Sequence, residues 1–322
     1  MQSKFNKFNL IYEAIMSDLI SEGGNAFDDV VGIKKENIKP TIDLLEKLLF
    51  KPLGIDKNLW TSELGSTGKK DVSGDIDIAI NMSELLNKLN VESIDEVKQT
   101  ILNKLKELNI DCRKIGLNIH FKFPIQGSQE NEFVQIDIFN SNNLDFLKQK
   151  MFSPKGTDSK YKGAHRTNSL GSIFKEITMH IAEDAVDDEK EEFISPDGKK
   201  YPGLRFSYIS IRDDGFYQIT KTFKGKRGIV KTAKRDDTQT KFITDSFQEM
   251  LDILFGKGKY TPDDLYSFET IWNNILMDSE FPYKDKLDEI VISLYHMFDN
   301  DKLLDIPNEI IEYLDENNIN IN

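Results

Sequence analysis

Residues 75–80 read Asp-Ile-Asp-Ile-Ala-Ile, and a strict period of two belongs to a β-strand. Alternate side chains leave opposite faces of a strand. Asp75 and Asp77 therefore share one face, with Cα atoms about 6.5–7 Å apart. Ile76, Ile78 and Ile80 share the other and anchor the strand in a core. Two ionised carboxylates side by side repel each other and are best tolerated next to a cation. Oxygen-only ligands suit Mg²⁺ or Mn²⁺, which complete their shells with water and substrate phosphates.

A third carboxylate comes from a later strand. Val134-Gln135-Ile136-Asp137-Ile138-Phe139 puts Val134, Ile136 and Ile138 on one face and Asp137 on the other. If the two strands are neighbours, Asp137 joins the pair. Three carboxylates can hold two ions about 3.5–4 Å apart, an arrangement suited to in-line phosphoryl displacement. Ahead of the first pair stands Gly65-Ser66. A glycine lets backbone approach a phosphate closely, and loop N–H groups with the Ser66 hydroxyl can bind triphosphate oxygens. Lys69 and Lys70 lie in the same loop and either neutralise phosphate or are simply solvated.

Gly-Ser, eight residues, Asp-Ile-Asp and a third Asp in a later apolar strand together resemble the signature of the DNA polymerase beta-like nucleotidyltransferases. That superfamily includes poly(A) polymerases, CCA-adding enzymes, oligoadenylate and cyclic-dinucleotide synthases, and enzymes that nucleotidylate antibiotics or proteins. The likeness covers about residues 58–140 and extends to uncharacterised bacteriophage members. It implies transfer of a nucleoside monophosphate from an NTP to an acceptor, with release of pyrophosphate. It also implies two ions on Asp75, Asp77 and Asp137, a triphosphate on Gly65 and Ser66, and a role for Asp137 in activating the acceptor. In the superfamily the segment after the third Asp leads into a helical region that contacts base and triphosphate. Lys162, Arg166 and Ser169 are the candidates here, with a solvated basic turn as the alternative. An exposed polar strand face, or a domain that keeps the pattern without turnover, would also produce these residues.

Around this site the periodicities predict an α+β fold, a mixed sheet with flanking helices and a helical C-terminal region. Helices are expected over 3–21, 38–50 (with Pro40 in its first turn), 82–89 and 94–108, the last capped by Ser93. Strands are expected at 58–64, 75–80, 117–123 and 133–139, and a hairpin over 204–223 turns at Asp213-Asp214-Gly215. After 244 the pattern is helical at 246–255, 263–276, 286–298 and 308–314. These elements divide the chain into an N-terminal helical extension (1–37), a catalytic core (38–150), a mixed region with a basic segment (151–244) and an acidic helical region (245–322).

Charge narrows the choice of partner. The 322 residues carry a net charge of −13. Residues 245–322 hold 18 acids and 5 bases, so the first 244 are neutral overall. The tail acids read as a solvated helix face. Within 221–241, eight basic residues, Lys221 and Lys241 among them, stand against two acids. Such a cluster suits an RNA or DNA acceptor, though no aromatic stacking pattern accompanies it. A small molecule, another nucleotide or a protein side chain is the rival acceptor. The single cysteine, Cys112, excludes an intrachain disulfide and lacks a neighbouring base to activate it. Four scattered histidines give no zinc spacing, and His120, on the polar face of its strand, reads as structural. No signal core and no apolar run of membrane length is visible. A cytoplasmic protein is expected, in the host cytoplasm if phage-encoded.

Overall fold

The computed structural model describes residues 26–65, 67, 69, 71–128, 131–152, 161, 163–182, 193–194, 200–201, 204–223, 235–300 and 305–321. The helix expected over 3–21 lies outside them. The fold is α+β, as the periodicities predict. Its first part contains β1 (Ile33–Lys34), α1 (Lys35–Leu45), β2 (Trp60–Thr61), β3 (Val72–Ser73) and β4 (Asp75–Ile80). Then follow α2 (Leu85–Leu89), α3 (Ile94–Glu107), β5 (Cys112–Ile115), β6 (Asn118–Pro124), β7 (Phe133–Asn140) and α4 (Leu144–Lys150).

Five strands form a mixed sheet in the order β2-β4-β7-β6-β5. Only β4 and β7 run parallel; the other pairs are antiparallel. Ile76, Ile78, Ile80, Val134, Ile136 and Ile138 are fully buried and pack with the apolar faces of α1 and α3. The helices cover this face because α3 is amphipathic, burying Val97, Ile101 and Leu105. Ser93 caps it by accepting from the Glu96 N–H, at the position expected.

Several expectations shift, among them the strand expected over 58–64, which is only Trp60–Thr61. Pro40 lies not in the first turn but at the sixth residue of α1. The helix starts earlier because β1 pairs with β3 and the Lys35 N–H bonds to Asp71 O at 2.9 Å, fixing the chain's entry. Pro40 then costs one intrahelical bond. Strands also go unforeseen at β1, β3 and β5, and further on at 180–182, 193–194, 200–201 and 235–244. The two longest, β5 and the strand over 235–244, are sheet edges, and neither alternates cleanly, because edges tolerate polar residues on both faces.

The second part contains α5 (Ala164–Thr178), β8 (His180–Ala182), β9 (Phe193–Ile194), β10 (Lys200–Tyr201), β11 (Leu204–Ile211), β12 (Phe216–Phe223) and β13 (Arg235–Thr244). Strands β13-β12-β11-β8 form an antiparallel sheet. The β11–β12 hairpin pairs Ile211 with Phe216, so it turns where expected. Helices α6 (Phe247–Phe255), α7 (Phe268–Ile271), α8 (Leu287–Asn300) and α9 (Asn308–Glu316) complete the chain. Asp288, Glu289, Asp299, Glu312, Asp315 and Glu316 are exposed, the solvated acidic face expected of this region. Among the described residues no helix is long and apolar enough to cross a membrane.

Helix α4 joins the two parts. Leu147 packs with Leu64 and Ala79 of the first sheet. Its neighbour Phe146 stacks on Phe247 at 5.1 Å and meets Phe216 edge-on at 5.3 Å, inside the C-terminal core. Phe146→Ala should therefore destabilise the chain by about 3–5 kcal/mol, the usual cost of emptying a buried aromatic site. Chemical denaturation monitored by tryptophan fluorescence would measure it. A loss under 1 kcal/mol would mean that α4 does not tie the two cores together.

Candidate active site

Asp75 and Asp77 leave the sheet face opposite the isoleucines. The parallel register sets Asp77 level with Asp137 and Asp75 level with Gln135. Ligand-capable oxygens of Asp75, Asp77 and Asp137 all lie within 4.8 Å of one another. The third carboxylate thus joins the first two, as the sequence required if the strands were neighbours. Toward the C-terminal ends of the two strands the same face turns apolar, and Leu64 and Leu147 cover Ala79 there.

The loop before β3 presses on the triad. Gly65 has φ of +51°, and a Cβ placed there would sit 2.5 Å from Asp77 Oδ2. Both the left-handed backbone and the contact demand glycine. Gly65 also makes a parallel bridge to Phe152. The Thr67 hydroxyl accepts from the Asp77 N–H at 3.3 Å, and the Thr67 N–H closes a turn onto Leu64 O. The Lys69 ammonium donates to Gly65 O at 2.8 Å and sits 5.0 Å from the Phe152 ring centre. Lys69 is thereby held beside Gly65, where the loop reaches the carboxylates. Ser66 and Lys70 lie outside the described residues.

The Asp77 carboxyl is pushed well above its ordinary value by burial first, then by the Asp75 and Asp137 charges. No cation enters that balance. A cluster of this kind holds its charge poorly alone and well beside a divalent ion. Its all-oxygen donor set and the close-packed Gly65 fit Mg²⁺ or Mn²⁺.

Two groups behind Asp137 were not singled out as functional from sequence. Gln135 Nε2 donates to Asp137 Oδ1 and Oδ2 at 3.0 and 3.1 Å. His120 Nδ1 lies 2.8 Å from Asp137 Oδ1, on a side chain read from sequence as structural. Parity already placed Gln135 on the Asp137 face, two residues upstream. The β6–β7 register, which sets His120 opposite Asp137, has no local signal.

Of the remaining candidates, Arg166 and Ser169 lie on α5. Arg166 is buried on α5 and donates to Gln149 O at 2.8 Å and Lys150 O at 3.0 Å, holding the carbonyl end of α4. Burial lowers its guanidinium to about 10, which leaves it charged at neutral pH. Ser169 is buried one turn further along and donates to His165 O. Both groups are engaged with backbone carbonyls rather than with the triad. Lys162 and residues 224–234, which hold most of the basic segment, lie outside the described residues. Burial pushes the Cys112 thiol up, consistent with an unreactive side chain. No protein-family model matches the chain, and no curated protein matches it either.

Two predictions follow from the Gly65–Asp77 contact and from the Asp77 shift. Gly65→Ala should displace the Asp77 carboxylate and strain the backbone by roughly 1–2 kcal/mol. Mn²⁺ binding followed by electron paramagnetic resonance should weaken, and unchanged affinity would remove Gly65 from the site. Folded Asp77 keeps its proton to higher pH than the unfolded group, which titrates near 3.8. The contribution of Asp77 to metal-free stability should therefore fall as pH rises above about 3.8. In EDTA at pH 7, Asp77→Asn should melt above the wild type by at least about 2 °C. That gap should close as pH drops below 3.8; a lower melting temperature at pH 7 would contradict the assigned repulsion.

Proposed function

We propose that this chain is a metal-dependent nucleotidyltransferase that moves a nucleoside monophosphate from an NTP to an acceptor hydroxyl. The observation that carries the reading is the meeting of Asp75, Asp77 and Asp137 on one sheet face, with Gly65 packed against Asp77. Paired carboxylates two residues apart, a third on the adjacent parallel strand and a glycine loop beside them are what a metal–triphosphate site requires. Mg²⁺ or Mn²⁺, two ions in this reading, would neutralise triphosphate charge and favour ionisation of the acceptor hydroxyl.

The chain's own residues divide the work. Asp75, Asp77 and Asp137 would hold the ions. The Gly65 backbone, the Ser66 hydroxyl and the Lys69 ammonium would hold the triphosphate. In the reaction the acceptor oxygen bonds to the α-phosphorus. The bond from that phosphorus to the bridging oxygen breaks, and pyrophosphate leaves with the electron pair. The acceptor proton passes to Asp137 or to solvent. A module that binds nucleotide without turnover has little use for three converging carboxylates.

The acceptor we favour is a nucleic-acid 3′ end, RNA or DNA. Eight basic residues against two acids within 221–241 suit a phosphate backbone. A small-molecule, nucleotide or protein acceptor is favoured instead by the neutrality of the first 244 residues and the acidity of the rest.

Incubation with each α-³²P NTP, Mg²⁺ or Mn²⁺, and separate pools of RNA, DNA, protein and metabolites tests the chemistry and names the acceptor. Asp75→Ala, Asp77→Ala and Asp137→Ala should each abolish label transfer while the chain stays folded. Near-normal transfer by the Asp75→Ala, Asp77→Ala double variant would refute the site. Ser66→Ala should weaken NTP binding and slow transfer moderately, because backbone donors remain. Neutralising Lys224, Lys226, Arg227 and Lys231 together should weaken acceptor binding and flatten its log–log salt slope by roughly 0.7 per lost phosphate contact. NTP affinity should hold. No change in either would leave the segment a solvated loop and point to the other acceptors.

A further inference from the structure

Asp137 differs from Asp77 in how it is held. Three hydrogen-bond contacts converge on its carboxylate from the protein side. Gln135 Nε2 reaches Oδ1 and Oδ2 at 3.0 and 3.1 Å, and His120 Nδ1 reaches Oδ1 at 2.8 Å. All three side chains are buried, at 4%, 6% and 8% exposure for Gln135, His120 and Asp137. An ionised carboxylate only accepts, so these contacts need an amide N–H and an Nδ1–H directed at it.

The Gln135 amide cannot turn over without loss. Its oxygen accepts from the Ala26 N–H at 2.8 Å. A reversed amide would aim its oxygen at the Asp137 carboxylate and its NH₂ at the Ala26 N–H, putting repulsion in place of all three bonds. The segment around Ala26 is itself fastened. Ala26 O accepts from Arg113 Nη1 at 2.6 Å, and the Arg113 guanidinium lies 4.5 Å from the Phe27 ring centre. Asp29 pairs with Lys122, and the Val31 N–H bonds to Phe133 O at 2.8 Å. Residues 26–31 thus form a strap across β5, β6 and β7 beside the carboxylates.

A carboxylate oxygen has about two lone-pair sites. Oδ1 is filled by Gln135 and His120, whereas Oδ2 takes one donor and keeps one site. We infer that Gln135 and His120 are positioning residues that leave Asp137 a single oxygen to offer, and that the Ala26 strap sets the orientation of Gln135. This inference rests on the metal-dependent reading above. It assigns the two residues no contact with substrate: they act through Asp137, as hydrogen-bonded partners orient a ligand and tune its affinity.

The test uses the full chain and Mn²⁺ alone, titrated by electron paramagnetic resonance, with melting in EDTA as the check on folding. Gln135→Met and His120→Leu should each raise the Mn²⁺ dissociation constant at least tenfold, the lower end for loss of such a partner. His120→Asn returns an N–H close to the place of Nδ1 and should bind within about threefold of wild type. A purely structural histidine would not be rescued in this way. The inference is overturned if Gln135→Met and His120→Leu bind Mn²⁺ as the wild type does, or if His120→Asn is as weak as His120→Leu. Asp75→Asn separates the two levels. If it binds Mn²⁺ as tightly as wild type, the metal site itself is wrong and the positioning role falls with it. If it loses binding while Gln135→Met and His120→Leu keep it, only the positioning role fails.

Discussion

The parallel pairing of β4 with β7 is the constraint on which the rest of the site depends. It sets Asp77 level with Asp137 and leaves Asp75 one step behind, level with Gln135. A one-residue slip would turn Asp137 into the core and an isoleucine onto the acidic face. The slip is prevented from the other side, where Ile76, Ile78, Val134, Ile136 and Ile138 are fully buried. The apolar face therefore holds in place a charge cluster that would otherwise push itself apart.

That tension shows in Asp77, whose carboxyl is raised by burial and by both neighbours. Proteins rarely gather uncompensated carboxylates for stability, since each buried charge costs free energy without a partner. The surroundings are arranged unevenly around the cluster. Asp137 receives Gln135 and His120, while Asp77 is crowded by Gly65. One acid is held by donors and another lies against a loop whose backbone has no side chain to interpose. Such an asymmetry suits a site where different carboxylates have different tasks.

The second half of the chain supports the first through α4. Arg166 and Thr167 on α5 hold the carbonyl end of that helix, just ahead of Phe152, the residue that bridges Gly65. Phe152 in turn packs against Tyr266 at 5.2 Å between ring centres. Arg166, a nucleotide-contact candidate by sequence, thus has a structural attachment to the loop's support. Its side chain is spent on carbonyls because a helix end leaves several without intrahelical partners.

The sequence by itself determined the properties that depend on neighbours along the chain. Period-two alternation made β4 and β7 strands, assigned Asp75, Asp77 and Asp137 to polar faces, and placed a glycine where a loop had to come close. Ser93 marked the start of α3 for the same local reason. Tertiary structure decided which strands lie side by side. It alone put Asp137 next to Asp77, set His120 across from Asp137, laid Ala26 on Gln135, and turned Arg166 toward α4. Side-chain parity is written in two or three residues, whereas register and strand order are chosen by burial of surfaces far apart in the chain. Edge strands such as β5 and β13 stayed illegible because their polar faces carry no apolar rhythm.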